Sequence, residues 1–246
     1  MESISKYKDK ENYIVPMTVA QKAGHLHTVI LGEMATEHIV DKRVLHVGCN
    51  AATTTHHIWS LKPSYLAGID VNEDAIRLAR VALPTADFTV ASAHEIPLED
   101  DYFDTIILFS ALEHLFQEDK APAIEEFQRI LKPGGCILLQ IPRAIPGSRD
   151  QRQKQNAYDP HCMSLYPSVQ SVHDDFPAWD CLQFDFEVRP NPNNGARHSA
   201  WVAIYMSPKK DKKKGEKSEK KKDKKDKKNP SAQIRSGMGY DNPHDY

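Results

Sequence analysis

The chain has 246 residues, 40% apolar and 27% charged, with a formal net charge of −2; this fits one globular domain with an added segment and excludes a collagen-like or wholly disordered chain. The small net charge hides two unlike parts. Of 32 basic and 34 acidic residues, 14 and 7 lie in 209–246 for a net of +7, which leaves 18 and 27 in 1–208 for a net of −9.

Residues 1–17 read as a flexible segment, and Met1–Glu11 is polar and charged, so no secretory signal is expected. From Thr18 to Val40 the residues Val19, Ala23, Leu26, Val29, Ile30, Met34 and Ile39 recur at helical spacing and predict a helix. Arg43–Gly48 is a β-branched and leucine run ending in glycine, the pattern of a buried strand. Ala51–Leu61 is helix-compatible and stops before Pro63. Tyr65–Asp70 predicts a second strand. Asn72 can cap a helix Glu73–Ala82, whose early acids suit the positive end of the helix dipole. Asp87–Val90 and the strongly apolar Phe103–Phe109 are the third and fourth strands. A helix from Pro122 to Leu131 puts Ile124, Phe127, Ile130 and Leu131 on one face. Lys132-Pro133-Gly134-Gly135 then breaks it before a fifth strand, Cys136–Ile141. Further on, Leu182, Phe184, Phe186 and Val188 alternate with polar residues, and His198–Met206 is another apolar strand. The turn-rich Pro190–Gly195 joins the two as an antiparallel hairpin.

Apolar strands that alternate with helices predict a parallel sheet covered on both faces. The expected fold is α/β: over residues 18–208, a Rossmann-like, mostly parallel seven-stranded sheet with helices on both faces and a C-terminal antiparallel hairpin. Such a body can bury a core without staples. Its four cysteines, Cys49, Cys136, Cys162 and Cys181, form no Cys-x-x-Cys pair and are expected reduced. No apolar run approaches the length of a membrane span, and the expected location is cytoplasmic.

Val44–Thr55, VLHVGCNAATTT, runs from a strand through Gly48 directly into a helix. That geometry brings a ligand close to backbone N–H groups at a helix start. The next strand ends in Asp70, 22 residues after Gly48. A carboxylate there, at the tip of a neighbouring strand, can accept both ribose hydroxyls of an adenosine. Four stretches in order, VLHVGCN, GIDVNEDAIRLAR, HEIPLEDDYFDTIILFSALEHL and FQRILKPGGCILLQIP, resemble the class I S-adenosylmethionine-dependent methyltransferases, in particular the type 11 group. The resemblance spans Val44 to Ile141. A nicotinamide-binding Rossmann domain would share the first two stretches but not the last two.

The resemblance implies S-adenosylmethionine as cofactor and a place for each matching residue. His46 falls where the family has an acid. Gly48, Cys49 and Asn50 would line the methionine end and the sugar, Asp70 would hold the ribose, and Val71 would pack on the adenine. Ser92, Ala93 and His94 would border the adenine edge, while Ser110 and Ala111 would face the sulfonium and the substrate. Departures accompany these matches. The family places glycines at the positions of Gly48, Asn50 and Ala52, and only the first remains; Ala52 is tolerable if it lies inside the helix. At Ser92 the family has Asp, a stronger acceptor. These changes permit weaker cofactor binding, or a non-catalytic member of the family.

Two histidines are candidate general bases, His114 in SALEHL and His161 in Asp159-Pro160-His161, because imidazole titrates near neutral pH. The family's divalent-metal pattern would need an acid at Ser110, so no metal is expected. Ala144–Ala157 is polar and reads as a substrate loop. With no inserted substrate domain, a small-molecule acceptor is expected. Residues 209–246 are expected to be a disordered Lys-rich tail: Lys209–Lys228 holds 13 lysines, 5 acids and no apolar residue. It would attract RNA, ribosomes or another polyanion, or act only as a solvated tail. Two alternatives to a small-molecule methyltransferase therefore stand: an RNA methyltransferase that uses the tail, and a non-catalytic binding or assembly protein.

Overall fold

A computed structural model of the chain describes residues 36–143, 166–190 and 197–208. A short helix α1 (Thr36–Ile39) leads into β1 (Arg43–Val47), followed by α2 (Thr53–Ser60), β2 (Tyr65–Asp70), α3 (Glu73–Ala82), β3 (Asp87–Val90) and β4 (Phe103–Phe109). A 3₁₀ turn (Leu112–His114) precedes α4 (Gln117–Ile130), β5 (Leu131–Pro142), α5 (Val169–His173), β6 (Asp180–Pro190) and β7 (Arg197–Met206). The sheet has seven strands in the order β3-β2-β1-β4-β5-β7-β6. β1 to β5 run parallel, and β7 lies antiparallel between β5 and β6. The expected α/β architecture with its terminal hairpin is the one observed. Strand order reverses between β1 and β4, the switch point where the carboxyl ends of the strands leave room for a ligand.

Side chains alternate across the sheet and divide the core in two. On one face Leu45, Ile106, Leu108, Ile137 and Leu139 meet Ala123, Ile124, Phe127 and Ile130 of α4. On the other, Val44, Leu66, Ile107 and Leu138 meet Ile58 of α2 and Ile76 and Ala79 of α3. Burying each such branched side chain contributes roughly 1.5–3 kcal/mol, so these faces supply most of the driving force for folding. The Asn72 side chain caps α3 as expected, accepting from Ala75 N at 2.9 Å.

Several boundaries differ from the expected ones. Of the helix expected over Thr18–Val40 only residues 36–40 are described, and there Thr36–Ile39 is helical. α2 begins at Thr53, because Asn50 and Ala52 take left-handed backbone angles that a helix cannot contain. α4 begins at Gln117 and carries Pro122 in its second turn. Its first turn is held from outside: buried Lys120 donates to Tyr166 Oη at 2.7 Å and to Asp175 Oδ2 at 3.2 Å. β5 begins at Leu131 because Leu131 pairs with Phe103, and the ladder then skips to Thr105 opposite Cys136. Lys132–Gly135 is thus a bulge within a strand, with Gly134 left-handed. A second bulge, between Cys181 and Gln183 of β6, turns Leu182 out to solvent and breaks the expected alternation there.

Candidate functional site

β1 ends in a turn built on three left-handed residues: Gly48 (φ 72°), Asn50 (φ 46°) and Ala52 (φ 65°). The Gly48 and Cys49 N–H groups both donate to the Ile69 carbonyl, at 2.9 and 3.0 Å, which draws the turn over the end of β2. A Cβ on Gly48 would stand 2.9 Å from the Ala111 Cβ, so glycine there is what lets the loop after β4 approach the turn. Asn50 suits its conformation and steadies it, its Oδ1 accepting from Ala51 N at 2.8 Å. Ala52 is the residue immediately before α2, not a residue inside it, which corrects the reading that made its methyl tolerable. The methyl is buried in the apolar cluster beneath α2.

Asp70 faces this turn. Its Oδ2 accepts from Asn50 N and its Oδ1 from Asn72 N, each at 2.9 Å. Burial raises the carboxyl above its ordinary range; the N–H groups of Asn72, Asn50 and Val71, together with nearby His114, oppose that rise. The Asn50 and Asn72 bonds occupy one lone pair on each carboxylate oxygen, so the group can still accept from hydroxyl donors. Val71, beside it, is partly buried against the core.

Around this centre the structure sorts the other sequence-predicted residues. Cys49 turns away: its thiol is buried against Gly68, where a Cβ would lie 2.9 Å from the sulfur, so only its backbone belongs to the turn. Burial and the charge of Asp70 push that thiol well up, which makes it inert. His46 also points under α2, buried, with Nδ1 2.8 Å from Thr55 Oγ1, and so braces the start of that helix. Ser92 follows β3, next to Ala91, whose N–H donates to the Asp70 carbonyl. Its Oγ lies 2.8 Å from His94 Nδ1, and both Ser92 and Ala93 are buried. Ser110, at the tip of β4, is exposed and left-handed (φ 53°), and its Oγ donates to Gln140 Oε1 at 3.0 Å. A strained residue at a strand tip beside the switch point is what ligand sites often hold. His114 ends the 3₁₀ turn near enough to Asp70 to favour its ionised form. His161 and the Ala144–Ala157 loop lie outside the described residues. Among the described residues no three His, Cys, Asp or Glu side chains converge as a metal site would require.

Sequence reasoning missed Gln140, Glu126 and Arg129. Gln140 is a buried polar residue at the end of an otherwise apolar strand, and that was a legible signal. Glu126 and Arg129 share a helix face at i,i+3, a spacing that by itself indicates only a surface pair.

Residues 45–139 match the family model described as a methyltransferase domain. A probable S-adenosylmethionine-dependent methyltransferase of Mycolicibacterium smegmatis is 29% identical over 119 residues, 48% of this chain and 45% of that protein. The malonyl-[acyl-carrier protein] O-methyltransferase of Yersinia pestis is 30% identical over 141 residues, 57% of this chain and 49% of its own. The matched region thus spans about half the length of these relatives. A crystal structure of a S-adenosylmethionine-dependent methyltransferase from Methanosarcina mazei superposes with a TM-score of 0.60 at 19% identity, covering 69% of this chain and 94% of that one, which shows a shared fold. Residues 45–139 therefore carry a methyltransferase domain of the type 11 kind, set in the fold of the class I S-adenosylmethionine-dependent methyltransferases.

Proposed function

We propose that this chain binds S-adenosylmethionine across the tips of β1 and β2 and transfers its methyl group to a small-molecule acceptor. One observation carries the reading: the Asp70 carboxylate is tied to the backbone of the Gly48–Asn50 turn, with both oxygens still able to accept from a vicinal diol. The Gly48 turn, which a Cβ would block against Ala111, fits a ligand that lies close to backbone. The bound cofactor supplies an electrophilic methyl on a sulfonium. The chain's own residues orient and enclose it. Asp70 holds the ribose hydroxyls, and Val71 packs against the adenine. Ser92, Ala93 and His94 border the adenine edge, with the Ser92 hydroxyl in place of the family's carboxylate. The backbone of Gly48, Cys49 and Asn50 follows the sugar and the methionine end. Ser110 and Ala111 face the reacting centre, and His114 takes the acceptor's proton; His161 is the second candidate for that role. Placement of this kind accounts for most of the rate enhancement expected when the reactive group comes with the cofactor. The malonyl group in the acceptor named for the Yersinia pestis relative, there carried on a protein, supports a metabolite-type acceptor group.

The test is calorimetry with S-adenosylhomocysteine on the full chain and on Asp70→Ala. Binding by the first and a loss of about 10²-fold or more in the second is expected, since two charge-assisted bonds are removed. No heat from the unaltered, folded chain would reject the reading and leave a binding or assembly role. A second reading, an RNA acceptor, is favoured by the 13 lysines of Lys209–Lys228. Removal of residues 209–246 should then abolish salt-sensitive RNA binding; unchanged binding would reject it.

A further inference from the structure

The segment that leads away from Ser92–His94 is fastened to α4 along its length. At the start of the helix, Asp119 Oδ2 lies 3.9 Å from His94 Nδ1, with both side chains nearly covered. Two turns further on, Glu126 Oε2 accepts from Ile96 N at 2.9 Å. Arg129 donates from Nη2 to the Ile96 carbonyl at 2.8 Å and from Nη1 to the Leu98 carbonyl at 2.8 Å and Asp100 Oδ1 at 2.6 Å. Its Nε and Nη2 also grip the two oxygens of Glu126, at 2.7 and 2.9 Å. That bond holds the Glu126 carboxyl below its ordinary range, so the acceptor for Ile96 stays ionised.

A surface Glu–Arg pair ordinarily contributes little. This one differs in where its bonds go. Three of them end on the main chain of Ile96 and Leu98, which has no regular ladder to hold it, since the residues between β3 and β4 form no strand. The five N–H donors of the guanidinium serve two carbonyls and two carboxylates at once; an ammonium at the same place has only three donors.

We propose that Glu126 and Arg129 are a positioning pair that sets the preference for adenine by fixing the backbone of residues 92–98 against α4. The inference rests on the cofactor reading above. Neither residue is assigned a contact with the ligand: each acts through the main chain that carries Ser92, Ala93 and His94. A loosened segment would still leave Asp70 and the Gly48 turn to hold ribose and methionine. Arg129→Lys should therefore weaken recognition of the base more than binding as a whole.

The experiment compares the dissociation constants of S-adenosylhomocysteine and S-inosylhomocysteine, which differ at the base edge, for the full chain and for Arg129→Lys, Glu126→Gln and the control Arg77→Lys. The unaltered chain is expected to prefer the adenine form. Arg129→Lys should shrink that preference by about tenfold, and Glu126→Gln by less, since the amide oxygen still accepts from Ile96. Arg77→Lys, which alters only the exposed Asp74–Arg77 pair, should leave it unchanged. A general loss of stability lowers the folded fraction for both ligands alike and does not move their ratio. If folded Arg129→Lys and Glu126→Gln keep the ratio of the unaltered chain, the pair is structural only and the proposal falls alone. If the unaltered chain binds neither ligand, the cofactor reading falls and takes the proposal with it.

Discussion

Under the proposed function, Asp70 has two roles that depend on pH in opposite senses. Burial holds its folded carboxyl above the unfolded value. As pH rises through the ordinary carboxylate range, the unfolded chain loses this proton first, so the contribution of Asp70 to stability falls until the folded group also ionises. Ribose binding needs both oxygens as acceptors, so affinity for S-adenosylhomocysteine should rise with pH through that same raised value. Calorimetry across the acidic range should show weakening that begins above the usual carboxylate range. Asp70→Asn should bind weakly at every pH and show no such dependence; a persisting dependence would place the titrating group elsewhere. Ala52 sets a second residue-scale balance. Its left-handed backbone costs roughly 1–2 kcal/mol, its buried methyl returns about 0.8, and glycine would add roughly 0.5–1 of unfolded-chain freedom. Ala52→Gly is therefore expected to change unfolding free energy by less than about 1 kcal/mol in urea titrations, which explains how the turn tolerates alanine at this position.

Among the elements, β5 shows how a local breaker can be absorbed by a sheet. Pro133 and two glycines read as the end of a helix, yet Leu131 and Cys136 both pair with β4 and the four residues between them bulge out. Gly135 is the tight point: a Cβ there would stand 2.9 Å from the Asp104 carbonyl and 3.0 Å from Leu131 Cδ2. At Gly134 a Cβ would meet nothing, so only its positive φ resists substitution. Gly135→Ala should cost about 1–3 kcal/mol by forcing backbone apart, and Gly134→Ala about 1, as read from urea midpoints at constant slope. Equal costs would mean that the close approach at Gly135 is relieved by movement of the bulge. The early start of α4 has a related cause. The propensity of Pro122 for a first turn points to a later start, but the bonds of Lys120 to Tyr166 and Asp175 lie 46 and 55 residues away and no window of local sequence contains them.

For the whole molecule, the split into an acidic body and a lysine-rich tail predicts separable behaviour. Residues 209–228 contain no apolar side chain with which to join a core. A chain that ends at Pro208 should therefore melt at the same temperature and bind S-adenosylhomocysteine with the same affinity. A lowered melting temperature would show that the tail contributes to the body. Among the described residues no helix is long and apolar enough to cross a membrane.

What the amino-acid order alone determined was the kind and sequence of the main strands and helices, most strand limits, and the place of Asp70 at the tip of β2 beside the Gly48 turn. These are readable because they rest on short-range patterns: alternation in strands, an asparagine before a helix, an acid at a strand tip. Tertiary structure decided the rest. It set the strand order and the left-handed state of Ala52, turned His46 under α2 and the Cys49 thiol against Gly68, and recruited Glu126 and Arg129 to hold a segment about 30 residues away. Those outcomes depend on which surfaces meet once the sheet has formed, because a side chain's direction is settled by the neighbour that desolvates it or bonds to it, and that neighbour is distant in the chain.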